Sequence, residues 1–128
     1  MNRLELAHQL RASTDVHYNC CQSVLIPFAK EMGLTEEQAF ALGANFNGGM
    51  RCGAVCGTLA GAVMVLGLTQ YPPEQADAFR KKFADDHGEI NCAALLKASH
   101  QRGIPRKEHC DGLVFEVVTA LDKIFAEQ

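Results

Sequence analysis

The 128-residue chain has little of what usually marks a function in sequence. It has no cluster of lysine and arginine, and its formal net charge is −3, which argues against a nucleic-acid surface. No glycine-rich phosphate loop follows a strand pattern, and no Ser/His/Asp signature is present. It lacks a Cys-x-x-Cys pair and a Cys/His knuckle, so the spacing is not that of a zinc finger. The longest apolar segment, Ala54 to Leu68, is interrupted by Gly57, Thr58, Gly61 and Gly67. It falls short of the ~20 apolar residues that a membrane span needs, and reads instead as the central helix of a bundle. The start, Met-Asn-Arg-Leu-Glu-Leu-Ala-His, has no uninterrupted apolar core of a signal peptide. The six cysteines are therefore expected in a reducing cytoplasm, where thiols tend to be metal-binding, catalytic or buried rather than a disulfide framework.

What is present is a chain with 48% hydrophobic residues and no low-complexity tract, long enough to bury a core as one domain over residues 1–128. Helical spacing dominates and no convincing alternating strand appears. A short amphipathic helix is expected from Asn2 to Arg11. A second runs from about His17 to Met32, with Ser13, Thr14 and Asp15 as candidate caps, a kink or break at Pro27, and Gly33 as its end. Thr35-Glu36-Glu37-Gln38 is a capping box opening a third helix to about Phe46. A fourth begins at Cys52 and ends near Leu68. Pro73 suits the first position of a fifth, reaching about Asp86 before Gly88. Asn91 can cap a short helix from Cys92 to His100. The last runs from about Lys107 to Glu127, with Leu113, Val114, Val117, Val118 and Leu121 in its apolar stripe. The fold class is all-α, a bundle of six or seven helices.

The chemistry concentrates in Gly48-Gly49-Met50-Arg51-Cys52-Gly53-Ala54-Val55-Cys56-Gly57. A glycine-loosened loop delivers Cys52 to the start of the most apolar segment. Gly53, Gly57 and Gly61 fall four apart, so on a helix they form one bare face that another backbone can approach. Cys52, Cys92 and Cys110 each fall in or just before the first turn of an expected helix, and Cys20 lies near the start of the second. A helix start favours thiolate, by roughly 0.3–1 kcal/mol, and thiolate is both nucleophile and metal ligand. Cys20 and Cys21 point about 100° apart on a helix, so only one of them is expected to face a shared site. His17, His109 and Arg51 lie beside cysteines as candidate bases or counter-charges, with a solvated surface role as the alternative for each.

These residues resemble a family of redox-active proteins named for its cysteine pattern, C_GCAxxG_C_C. The resemblance rests on Asn19-Cys20-Cys21-Gln22-Ser23-Val24, on Phe46 to Met50, on the Cys-Gly-Ala-x-x-Gly core from Cys52 to Gly57, on Asn91-Cys92-Ala93-Ala94-Leu95-Leu96 and on His109-Cys110-Asp111. It covers about Val16 to Leu121. By matching, it implies Cys20, Cys52, Cys92 and Cys110 as the family cysteines, with Cys21 and Cys56 as additions and a shortened loop between Gly49 and Cys52.

Two classes of function follow. In the first, Cys20, Cys52, Cys92 and Cys110 converge on one redox site. That site either binds an iron–sulfur cluster or another thiophilic metal, or cycles between dithiol and disulfide, with an electron donor or acceptor as partner. In the second, a non-enzymatic helical module binds a small molecule, a partner or a second copy of itself, and its cysteines are buried core. Whether the chain is an enzyme stays open between them.

Overall fold

The computed structural model describes residues 1–127. Seven α-helices follow in order among the described residues: α1 (Arg3–Ala12), α2 (Cys20–Leu25), α3 (Glu36–Gly43), α4 (Gly57–Leu68), α5 (Pro73–His87), α6 (Cys92–Gln101) and α7 (Arg106–Ala126). There is no strand among these residues, only one isolated antiparallel bridge between Val55 and Asn91. No helix among the described residues is long and apolar enough to cross a membrane.

Side-chain caps set three of the helix starts. Asn2, Asn19 and Thr35 each accept the backbone N–H three residues on, and Glu5, Gln22 and Gln38 reach back to complete capping boxes. The second helix is therefore capped by Asn19, not by Ser13, Thr14 or Asp15. It is also shorter than expected: α2 ends at Leu25 and a 3-10 turn, Ile26–Phe28, carries Pro27 past the missing hydrogen bond. The third helix stops at Gly43 rather than Phe46. Pro73 opens α5, and Gly88, at φ 74°, closes it.

The fourth helix departs most from expectation. It begins at Gly57, not at Cys52. Residues before it form an irregular turn in which Gly48, Gly49, Met50 and Arg51 are all left-handed, with φ between 57° and 66°. Left-handed backbone costs Met50 and Arg51 about 1–2 kcal/mol each, so the surroundings must hold it. One support is the hydrogen bond from the Ala54 N–H to the Gly49 carbonyl, 2.8 Å. Gly49 itself is obligatory, because a Cβ there would stand 2.2 Å from the Ala54 carbonyl oxygen.

Helix α4 lies at the centre, packed on α2, α5 and α7, and its closest partner is α2. Glycine makes that approach possible. A Cβ on Gly61 would meet the Cys21 carbonyl and Val24 Cβ, both at 3.3 Å, and one on Gly57 would meet the Phe46 carbonyl at 2.6 Å. The expected bare face thus exists at Gly57 and Gly61. Gly53 does not share it, since it lies in the turn at φ 76°. Val24, Leu25, Phe28, Leu59, Val65, Leu66, Val114, Val117, Val118 and Leu121 fill the core between these helices. Each such side chain contributes roughly 1.5–3 kcal/mol by leaving water.

Candidate functional site

The cysteines gather where α2, α4, α6 and α7 meet near their N-terminal ends. Cys20 is the first residue of α2 and Cys92 the first of α6. Cys56 is the N-cap of α4. Cys110 sits one turn into α7, which starts at Arg106. The bridge at Val55 and Asn91 ties two of these starts together: the Cys56 N–H donates to the Ile90 carbonyl (2.8 Å) and the Cys92 N–H to the Ala54 carbonyl (2.7 Å). Glu89 steadies that strand-like contact by accepting from the N–H groups of Ile90 (2.9 Å) and Asn91 (3.2 Å), which also hold its carboxyl below its ordinary range. Across the α2–α4 contact, the Cys20 sulfur lies 3.1 Å from where a Gly57 Cβ would be.

Cys20 is the member that links the set. A charge on its sulfur would raise the thiols of Cys21, Cys56, Cys92 and Cys110, which requires all four within its electrostatic reach. Burial is the larger cause in each case. It pushes Cys21 up to about 12 and Cys110 up to about 11. Arg11 and Arg106 pull Cys110 back, and Arg106 does the same for Cys92. For Cys56, burial and Cys20 raise the thiol, while the N–H groups of Leu59 and Thr58 and the Thr58 hydroxyl favour its thiolate. Thr58 is fully buried and its hydroxyl makes no regular hydrogen bond, so the nearby sulfur is the acceptor available to it.

Of the four cysteines singled out in the sequence, the structure brings Cys20, Cys92 and Cys110 together near the starts of α2, α6 and α7 and leaves Cys52 in the turn before α4. Cys52 is exposed, its sulfur 3.6 Å from the Gly49 carbonyl, and it is not among the charges that act on the other thiols. Cys56, one turn later in sequence, occupies the helix start. A signal for it was available: Cys56-Gly57 is followed by Gly61, just as Cys52-Gly53 is followed by Gly57. Both frames carry Cys-Gly with a second glycine five residues after the cysteine. Arg51 is exposed in the turn. His109, half-buried, has its imidazolium disfavoured by burial and by the charges of Arg102 and His87. His17 lines a cavity beside Cys20.

That cavity, about 400 Å³, opens between α1, α2 and the start of α7, with the thiols of Cys20 and Cys110 in its wall. Arg11 is fixed there by Asp111 (2.6 Å) and by the Tyr18 carbonyl (2.9 Å). Lys107 adds bonds to the Arg11 carbonyl (2.8 Å) and to Asp111 (3.0 Å). No motif could have announced this corner, because Arg11 and Asp111 are 100 residues apart. As they stand, no three His, Cys, Asp or Glu side chains among the described residues are grouped to hold one metal ion.

An all-helical chain with thiols collected at four helix starts is the class that the fold and site define. The chain matches the family model described as "Putative redox-active protein (C_GCAxxG_C_C)" over residues 18–124 and belongs to that family. The match takes in α2 to α6, most of α7 and every cysteine, leaving out α1. Neither a curated protein nor a solved structure matches the chain.

Proposed function

We propose that the protein cycles between a dithiol and a disulfide, with Cys20 as the shared member and Cys56, Cys92 and Cys110 as its available partners. Cys56, rather than the exposed Cys52, belongs to the working set. The observation that supports this reading is the place of the Cys20 sulfur at the α2–α4 contact, 3.1 Å from where a Gly57 Cβ would be and within electrostatic reach of Cys56, Cys92 and Cys110. Grouping in threes, which a cluster or zinc site would require, is not a feature of the described residues. The partner is then a thiol or disulfide that exchanges an electron pair with the protein by sulfur attack.

Titration of free thiols tests this. Mild oxidation of native protein should remove one pair of thiols per chain, and a reductant should restore them. Cys20→Ser should abolish that loss, whereas Cys52→Ser should leave it intact. No loss in the parent protein would favour buried structural cysteines. Stable, coloured uptake of iron and sulfide by reduced protein, lost in Cys20→Ser, would replace the dithiol reading with a cluster.

A further inference from the structure

The cavity beside Cys20 is lined by cations in a chain that is acidic overall, at −3. Its wall carries Arg11, Arg106 and Lys107, with His17 at its edge and no carboxylate. Asp111, which is not in the wall, pairs with Arg11 and Lys107. Arg106 has no carboxylate partner among the described residues, and it reaches over Gly48, 4.0 Å from where a Cβ would stand. The volume of about 400 Å³ falls in the range of small-molecule sites and is too small for a folded partner. Two thiols, Cys20 and Cys110, open into the same space.

We propose that this cavity takes an anionic low-molecular-weight disulfide, a carboxylate-bearing R–S–S–R, and that Cys20 and Cys110 reduce it. This deepens the dithiol reading of the same site and rests on it. The Cys20 thiolate attacks one sulfur of the bound disulfide. The substrate S–S bond breaks, a Cys20–S–S–R bond forms, and the first R–S⁻ leaves and takes up a proton. Cys110 then loses its proton and attacks the Cys20 sulfur. The mixed disulfide breaks, the Cys20–Cys110 bond forms, and the second R–S⁻ leaves. Two electrons pass from the protein dithiol to the substrate, and two R–SH are the products. An excess of the same anionic thiol runs the sequence backwards and restores the dithiol. The cations hold the substrate carboxylates and raise its local concentration at Cys20.

Three symmetrical probes of different charge separate this from unselective exchange: oxidised glutathione (anionic), 2-hydroxyethyl disulfide (neutral) and cystamine (cationic). Reduced native protein is mixed with each, and formation of the Cys20–Cys110 bond is followed by quenching with acid and mapping by peptide mass. Each rate is divided by that of a free model thiol with the same probe. The proposal expects the anionic probe to be favoured by about tenfold or more, with the preference falling as salt is added. Arg106→Glu should lower the rate with oxidised glutathione about tenfold further than the rate with 2-hydroxyethyl disulfide, a ratio from which the loss of its pull on the Cys110 thiol cancels, and the circular dichroism of the variant shows that it is folded. Equal normalised rates for all three probes, or an Arg106→Glu variant with unchanged selectivity, would overturn the substrate class while leaving the dithiol reading standing. Failure of every probe, and of a small uncharged oxidant, to bring Cys20 into any disulfide would overturn both.

Discussion

Cys52 and Cys56 have nearly the same sequence surroundings and opposite structural fates. Each precedes a glycine, each has a second glycine five residues on, and both lie in one ten-residue stretch. Cys52 ends a left-handed turn and faces solvent, whereas Cys56 caps the central helix and is buried against α2. The difference lies in the backbone. A Cβ at Gly57 would strike the Phe46 carbonyl and crowd the Cys20 sulfur, so the glycine after Cys56 is what lets the helix start between the segment after α3 and the head of α2. The glycine after Cys52 supplies a positive φ that turns the chain instead. A Cys-Gly pair thus has two readings, and tertiary packing selects between them.

The largest expected effect of that contrast is on reactivity. In reduced native protein, Cys52 should be alkylated faster than Cys56 by about two orders of magnitude or more, the factor that ~3 kcal/mol of local opening imposes. Labelling read by peptide mass at neutral pH measures it, and similar rates would dissolve the comparison. Next comes the helix contact itself. Gly57→Leu should lose ~1–3 kcal/mol in urea unfolding, since its neighbours include backbone that cannot move aside. Gly67→Leu, with nothing within 4 Å of its Cβ position, should not. If Gly57→Leu unfolds like the parent, the packing of the α4 start on Phe46 and Cys20 is wrong.

Alkali should distinguish the buried side of the cluster from the exposed one. Cys21 is fully buried and its thiol is raised to about 12, while in the unfolded chain it would ionise near its ordinary ~8.5. Between those values the unfolded chain has released a proton that the folded chain retains, so stability falls as pH rises. The contribution is fully present below pH ~8.5 and is lost between there and about pH 12, with a slope of at most ~1.4 kcal/mol per pH unit from this thiol. Urea midpoints from pH 8 to 11 should show the fall, less steeply in Cys21→Ala and unchanged in Cys52→Ser. The smallest effect is the substitution of Cys52 itself. Cys52→Ser at neutral pH should change stability by no more than ~0.5 kcal/mol, because the side chain is exposed and makes one weak contact.

Much of this molecule is legible in local chemistry. The capping box at Thr35, the stop at Gly88, Pro73 at the head of α5 and the α7 stripe are decided by residues within a few positions of one another, and all-α is what they produce. Cys20 and Cys92 at helix starts were legible for the same reason. The start of α4 was not, because the turn from Gly48 to Gly53 is held by contacts with Ala54 and Ala93. The cap of α2 at Asn19 was also obscured. Its side chain donates to the Gly43 carbonyl (3.0 Å) as well as capping locally, so the boundary depends on α3 being in place. The basic cavity was invisible altogether, since α1 and α7 meet only in the folded chain.

The central claim is that Cys20 and the helix-start thiols form the redox site and Cys52 stands outside it. Its most direct test is disulfide mapping by peptide mass after mild oxidation of native protein and trapping of the remaining free thiols. The account predicts an intramolecular bridge from Cys20 to Cys56, Cys92 or Cys110, with Cys52 recovered alkylated. Recovery of Cys20 as a free thiol, or an intramolecular bridge that contains Cys52, would contradict it.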